Sequence, residues 1–226
     1  MQELWVANLG VVGYGEADRL QQRLREARKA DEVPDTLLLL EHPPVYTRGR
    51  RTPDEELPLG EGFYAAQGIE VVEVDRGGRA TYHGPGQLVG YPIMRIGDII
   101  GYLRTIERAI IAALERHGVS ARGGGERPTG VWAGDRKIAS IGVHVSRRVT
   151  THGFAVNVDG DLEPFEWIVP CGLSGVTMTS LQREGGRDIE RFRATIAEQF
   201  ALAFERRSRV VAPAALERAG SAAVAG

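Results

Sequence analysis

The sequence predicts an α/β protein of one domain, and three observations predict it. Apolar runs of strand length recur at residues 36–41, 87–94, 138–145 and 153–158. Apolar residues also repeat at helical spacing, as in Tyr14, Ala17, Leu20, Leu24 and Ala27, and again in Ile189, Phe192, Ile196, Phe200 and Phe204. The third observation is size: 226 residues, 42% hydrophobic and 26% charged, suit one sizeable core.

Residues 4–9 read as a first strand, followed by a helix whose apolar face begins at Tyr14 and which ends before Pro34. The run T-L-L-L-L-E at 36–41 suits a buried strand, residues 42–47 continue as a short extended segment, and Arg48, Gly49, Arg50 and Arg51 form a basic loop. A strand at 69–74 feeds a glycine-rich loop, and residues 87–94 continue on its far side. Asp98 is placed to cap a helix carrying Ile99, Tyr102, Leu103, Ile106, Ile110, Ala113 and Leu114 as core, ending near Gly118. Residues 122–129 read as a polar, mobile loop before a strand at Val131 and Trp132. Strands at 138–145 and 153–158 are joined by a polar connection, so Lys137 opens a strand. Asp188 starts the last helix, and residues 207–226 are expected to be a disordered tail behind a catalytic domain spanning 1–206.

The stretch R-G-G-R-A-T-Y-H-G-P-G-Q at 76–87 carries the strongest signal of a binding site. Gly77, Gly78, Gly84 and Gly86 let the backbone approach a ligand closely, and Pro85 fixes the turn between two of them. Arg76, Arg79, Thr81, Tyr82, His83 and Gln87 add polar ends to that scaffold, although His83 reads equally well as a structural, hydrogen-bonded histidine.

Reactive side chains are scarce. Cys171 is the only cysteine, and Lys29 and Lys137 are the only lysines among many arginines. Lys137 reads either as a solvated turn residue or as a titratable amine, a role that arginine cannot fill. Cys171, between Pro170 and Gly172, reads either as a small hydrophobe or as a nucleophile on a sharp turn. A free thiol, with a pKa of about 8.5, is only slightly ionised at neutrality, and an adjacent ammonium lowering it by ~1.5 units would supply ~2 kcal/mol. Spacing alone does not bring the two residues together.

The blocks Arg76-Gly77-Gly78-Arg79, Thr81, His83-Gly84-Pro85-Gly86-Gln87-Leu88, Gly90-Tyr91-Pro92, Gly130-Val131-Trp132, Arg136-Lys137-Ile138-Ala139-Ser140-Ile141-Gly142, His152-Gly153-Phe154-Ala155-Val156-Asn157 and Pro170-Cys171-Gly172-Leu173 resemble the lipoyl(octanoyl) transferase family in order and spacing. The resemblance implies a biotin and lipoate ligase-like fold, with a mixed sheet flanked by helices around an acyl tunnel. It implies transfer of an octanoyl group from acyl carrier protein to a lysine of lipoyl domains, in 2-oxoacid dehydrogenases and glycine cleavage H protein. Cys171 would carry the thioester, and Lys137 would act as its acid/base partner. Substrate contacts would come from Arg76, Gly77, Gly78, Arg79, Ala80, Thr81, Tyr82 and His83, from Ser140, Ile141 and Gly142, and from Gly153, Phe154 and Ala155. The family implies a monomer without a diffusible cofactor.

The tetrahedral oxyanion of such a transfer needs N–H donors, for which the amides near Cys171 and those of the glycine loop are candidates. Val89, Ile141, Val143 and Phe154 are candidates to line the acyl slot. Acyl carrier protein is acidic, so Arg50 and Arg51 are candidate docking residues. Two other functions stay open: an ATP-dependent ligase of the same fold, against which the Pro-Cys-Gly turn argues, and a non-catalytic acyl-binding protein. A net charge of −2 disfavours nucleic acid. The five histidines show no ligand spacing for a metal. No apolar run nears ~20 residues and no signal peptide is evident, so neither a membrane nor export is expected, and a lone cysteine fits a reducing cytoplasm.

Overall fold

The structure, a computed structural model, describes residues 1–125, 129–169, 176–186 and 188–219. In chain order its elements are β1 (Gln2–Val11), α1 (Tyr14–Lys29), β2 (Asp35–Glu41), β3 (Val45–Arg48), a 3-10 turn (Asp54–Glu56), α2 (Glu61–Ala66), β4 (Glu70–Glu73), β5 (Thr81–His83) and β6 (Gln87–Ile93). There follow α3 (Ile99–Arg116), β7 (Arg122–Gly123), β8 (Gly130–Ala133), β9 (Arg136–Ser146), β10 (Val149–Asn157), a second 3-10 turn (Glu163–Phe165), α4 (Ile189–Ala203), β11 (Arg206–Val210) and α5 (Pro213–Ala219).

Eight strands form a mixed sheet in the order β11-β1-β2-β6-β10-β9-β8-β7. The β1 pairings to β2 and β11 are parallel, and those from β2 outward to β7 are antiparallel. The four leucines of β2 show why the sheet is covered on both faces. Leu37 and Leu39 pack with α3 and α4, whereas Leu38 and Leu40 pack with α1 and α5. Alternating side chains of one strand thus enter two cores, which is why the run is continuously apolar. Burying each such leucine contributes about 1.5–3 kcal/mol.

A three-stranded sheet, β4-β3-β5, sits beside the main one over a third core that includes Tyr46, Tyr64, Tyr82 and Phe165. Sequence reading took residues 76–83 as loop throughout; residues 81–83 instead form β5, antiparallel to β3. Three residues are too few to show a period. Between β9 and β10 the connection shrinks to Arg147 and Arg148, both at positive φ (48° and 65°), as a two-residue hairpin of this twist demands.

The expected boundary at 206 is corrected. Residues 206–210 pair in parallel with β1, the Val211 amide donates to the Val6 carbonyl at 2.9 Å, and α5 seats Leu216 in the core shared with α1. An edge strand with mostly exposed side chains shows no alternation, and an alanine-rich helix opened by Pro213 needs only one buried anchor. Residues 220–226 lie outside the described residues. The described ends of the polar stretch 122–129 also have more order than expected: β7 pairs with β8, and the buried Glu107 accepts from the Gly124 and Gly130 amides at 3.5 and 3.3 Å, while residues 126–128 lie outside the described residues. Among the described residues no helix is long and apolar enough to cross a membrane.

Candidate active site

Lys137 stands second in β9, and its environment excludes one of the two readings of it. The residue is 2% exposed, so the solvated turn lysine is excluded. Its Nζ lies 5.9 Å from the centre of the Trp132 ring, within reach of the attraction between an ammonium and an aromatic face. Gly130 makes room for the stem, because a Cβ there would sit 2.8 Å from Lys137 Cε and 2.6 Å from the Ala139 carbonyl. The Lys137 amide donates to the Thr177 carbonyl and its carbonyl accepts from the Thr179 amide, both at 2.9 Å. Cys171 lies outside the described residues, as do residues 170–175 around it.

The glycine loop is fixed at several points. The Gly77 amide donates to the Val143 carbonyl at 3.0 Å. Arg76 folds its guanidinium back, donating to the Thr47 carbonyl and hydroxyl at 2.9 and 2.6 Å and to the Arg79 carbonyl at 2.8 Å. Buried Glu56 receives Arg79 at 2.7 Å and the Ala80 amide at 3.1 Å, while its own carbonyl accepts from the Val169 amide at 2.9 Å. The Gly77 and Ala80 amides are therefore already engaged, which removes them as oxyanion donors.

A cavity of about 580 Å³ lies between this loop, the central strands and the start of α3. Of the residues expected to contact substrate, Arg76, Gly77, Gly78, Arg79, Thr81, His83, Ser140, Ile141, Gly142, Gly153, Phe154 and Ala155 line it together with Lys137. Ala80 and Tyr82 do not: both are buried in the third core. The two-residue period of β5 explains the split at Tyr82, since Thr81 and His83 face the cavity and Tyr82 faces away. Val89 likewise belongs to the core under α1, whereas Ile141, Val143 and Phe154 line the cavity. Arg51 reaches the lining and Arg50 is exposed beside it.

Sequence reasoning missed Tyr14, Tyr91, Ile99, Leu103, Val145 and His152, all of which line the cavity. Ile99 and Leu103 were expected as core; the first turn of α3 instead overhangs the cavity, and Ile99 is 39% exposed. Helical periodicity marks an apolar face without telling a core from a cavity wall. His152 had one signal, its place directly before Gly153 in a quoted block.

His83 on this wall and His42, whose ring packs against it, are held neutral. His83 Nδ1 lies 2.7 Å from Gln87 Oε1, and the Gln87 amide nitrogen donates to Asn157 Oδ1 at 2.9 Å, so Nδ1 carries the His83 proton. Burial, with His42 and Arg76 nearby, pushes His83 down to about 3. His42, between the Val12 carbonyl (2.6 Å) and the Tyr91 hydroxyl (2.7 Å), is pushed down by burial to about 4. The unfolded chain therefore binds protons at these sites below about pH 6.5 that the folded chain refuses, so stability falls as pH drops from 6.5 towards 4. We expect a lower thermal midpoint at pH 5 than at pH 7.5, with no titration of either ring between pH 5 and 8 by NMR. A ring titrating near 6.5 would contradict the assigned burial.

A cavity that combines apolar side chains such as Leu103, Ile141, Val143 and Phe154 with Arg76, Arg79 and one buried amine suits an acyl-handling α/β domain. Comparisons with known proteins agree. The model of the lipoyl protein ligase A/B catalytic domain matches residues 14–201. The octanoyltransferase of Acidothermus cellulolyticus is 49% identical over 213 residues, covering 91% of this chain and 90% of that one. A mitochondrial octanoyltransferase of Arabidopsis thaliana is 45% identical over 186 residues, covering 80% and 78%. Among solved structures, a bi-partite lipoate protein ligase system of Thermoplasma acidophilum superposes with a TM-score of 0.76 at 18% identity, over 97% of this chain and 91% of the matched chain. The chain belongs to the lipoyl protein ligase A/B catalytic domain family, and within it to the octanoyltransferases, acyltransferases of lipoate biosynthesis.

Proposed function

We propose that the protein moves an octanoyl group from octanoyl-acyl carrier protein to a lysine of lipoyl domains, in 2-oxoacid dehydrogenase E2 subunits and glycine cleavage H protein, by way of a thioester on Cys171. In the first half, Lys137 Nζ takes the Cys171 proton and the sulfur attacks the donor thioester carbonyl. The tetrahedral intermediate collapses by breaking the carbon–sulfur bond to the carrier, whose thiolate receives the proton back from Lys137. In the second half, the acceptor lysine amine attacks the acyl-enzyme carbonyl, Lys137 takes a proton from that nitrogen, and the Cys171 thiolate leaves. A thioester becomes an amide and a free thiol, with no nucleotide and no redox partner. The thiol must stay reduced, which suits a cytoplasmic setting.

The observation that carries this reading is Lys137: a buried lysine on the cavity wall whose backbone is hydrogen-bonded to Thr177 and Thr179, the segment that follows Cys171 in the chain. A strand holds that amine on a rigid base. The residues of the glycine loop, of 140–142 and of 153–155 would then bind the acyl chain and its carbonyl. Transfer to a purified lipoyl domain tests the donor. Wild type is expected to use octanoyl-acyl carrier protein without nucleotide, and Cys171→Ala is expected to fail. Transfer that requires free octanoate and ATP would replace this mechanism with a ligase.

A further inference from the structure

His152 on the cavity wall and Asp75, its partner behind the glycine loop, have no part in that chemistry. Asp75 directly precedes the glycine loop, and its Oδ1 lies 2.6 Å from His152 Nε2, with Oδ2 3.7 Å from His144 Nε2. His152 is 2% exposed and holds a left-handed backbone, φ 57°, which a non-glycine residue adopts only when its surroundings compel it. The reason is visible in β10. Thr150 and Phe154, two residues to either side, turn to the α3 face, where Thr150 Oγ1 meets the Tyr102 hydroxyl at 3.3 Å and Phe154 joins the core. Alternation would send His152 the same way. Instead its ring meets Asp75 and, at 3.5 Å, the Tyr14 hydroxyl, while its amide donates to Gln21 Oε1 at 2.6 Å.

The residues that follow each member of this contact line the cavity. Gly153, Phe154 and Ala155 follow His152 on the sheet wall, and Arg76, Gly77 and Gly78 follow Asp75 on the loop wall. We propose that the Asp75–His152 pair is a latch that fixes the loop wall against the sheet wall and so positions the acyl chain for transfer. Neither residue touches the reacting atoms; both are positioning residues. The proposal rests on the octanoyl-transfer reading above.

The test uses Asp75→Ala, Asp75→Asn, His152→Asn and the Asp75→Ala/His152→Asn double variant. Asparagine tolerates the left-handed backbone at 152 but is too short to reach Asp75. For octanoyl-acyl carrier protein, each disrupting variant is expected to raise KM about tenfold with kcat within about threefold. The double variant should be no worse than the worse single, because both remove one shared contact. Asp75→Asn keeps an oxygen within reach of His152 Nε2 and is expected to restore KM to within about threefold of wild type. A fall in kcat with unchanged KM, multiplying effects in the double variant, or no rescue by asparagine would overturn the latch. Calorimetry with octanoate itself reads the latch without the reaction. Equal Kd values for wild type and Asp75→Ala overturn it, whereas weaker binding by Asp75→Ala together with no carrier-dependent transfer by wild type upholds it and overturns only the transfer reading.

Discussion

Lys137→Ala is expected to lower octanoyl transfer about a thousandfold or more in single-turnover assays, the range lost when a positioned acid/base group is removed. Both half-reactions of the proposed route move a proton through the same nitrogen, so neither the acyl-enzyme nor its discharge escapes the loss. The void left by the stem, which packs beside Gly130 and Trp132, also lowers stability, so Lys137→Met serves as the control that keeps the volume. Lys137→Met should melt close to wild type and still be inactive. Lys137→Arg should not rescue, since a guanidinium does not release its proton and is too bulky for the space that Gly130 leaves. Methionine or arginine variants within tenfold of wild type would show that the buried amine is structural.

Gly153→Ala is expected to be the most damaging small substitution in the cavity wall. An added Cβ would lie 2.2 Å from the Gly90 carbonyl oxygen and 2.4 Å from Pro92 Cδ, both fixed parts of the neighbouring strand β6. Neither can rotate aside, and on its other flank Gly153 pairs with Gly142 of β9, so β10 must part from β6. The overpacking costs about 3 kcal/mol. For a domain of this size that lowers the thermal midpoint by about 6–12 °C, and activity should fall even below the transition. Gly142→Ala offers the contrast: its Cβ would meet the Gly77 carbonyl at 3.0 Å and Arg76 Cδ at 3.4 Å, overlaps that a shift of a few tenths of an ångström relieves. Calorimetric melting of both variants checks the order. A Gly153→Ala midpoint within 2 °C of wild type would mean that the strand spacing is softer than its contacts indicate.

Much of the cavity wall was legible because it is built from unusual residues. Glycine in close succession marked the loop, and the scarcity of lysine, two among many arginines, drew attention to Lys137, which does face the cavity. What stayed hidden depended on contacts distant in sequence. Gln21 lies on the buried face of α1 as a polar residue because it accepts from the His152 amide, a partner more than a hundred residues away. Ile99 and Leu103 follow the same apolar period as Ile106 and Ile110, and only the tertiary fold sends the first pair to the cavity and the second to the core. The C-terminal strand and helix were missed for a related reason, since β11 is ordered by backbone pairing with β1 and by the ion pair of Arg206 with buried Asp35, neither of which leaves an apolar period.

The central claim, that the acyl group rests on Cys171 between donor and acceptor, is tested most directly by intact mass spectrometry. Wild type and Cys171→Ala are mixed briefly with octanoyl-acyl carrier protein and then given a lipoyl domain. The account predicts one octanoyl adduct, labile to hydroxylamine, on wild type alone, which discharges onto the lipoyl-domain lysine. Transfer by both proteins with no adduct on either would contradict it.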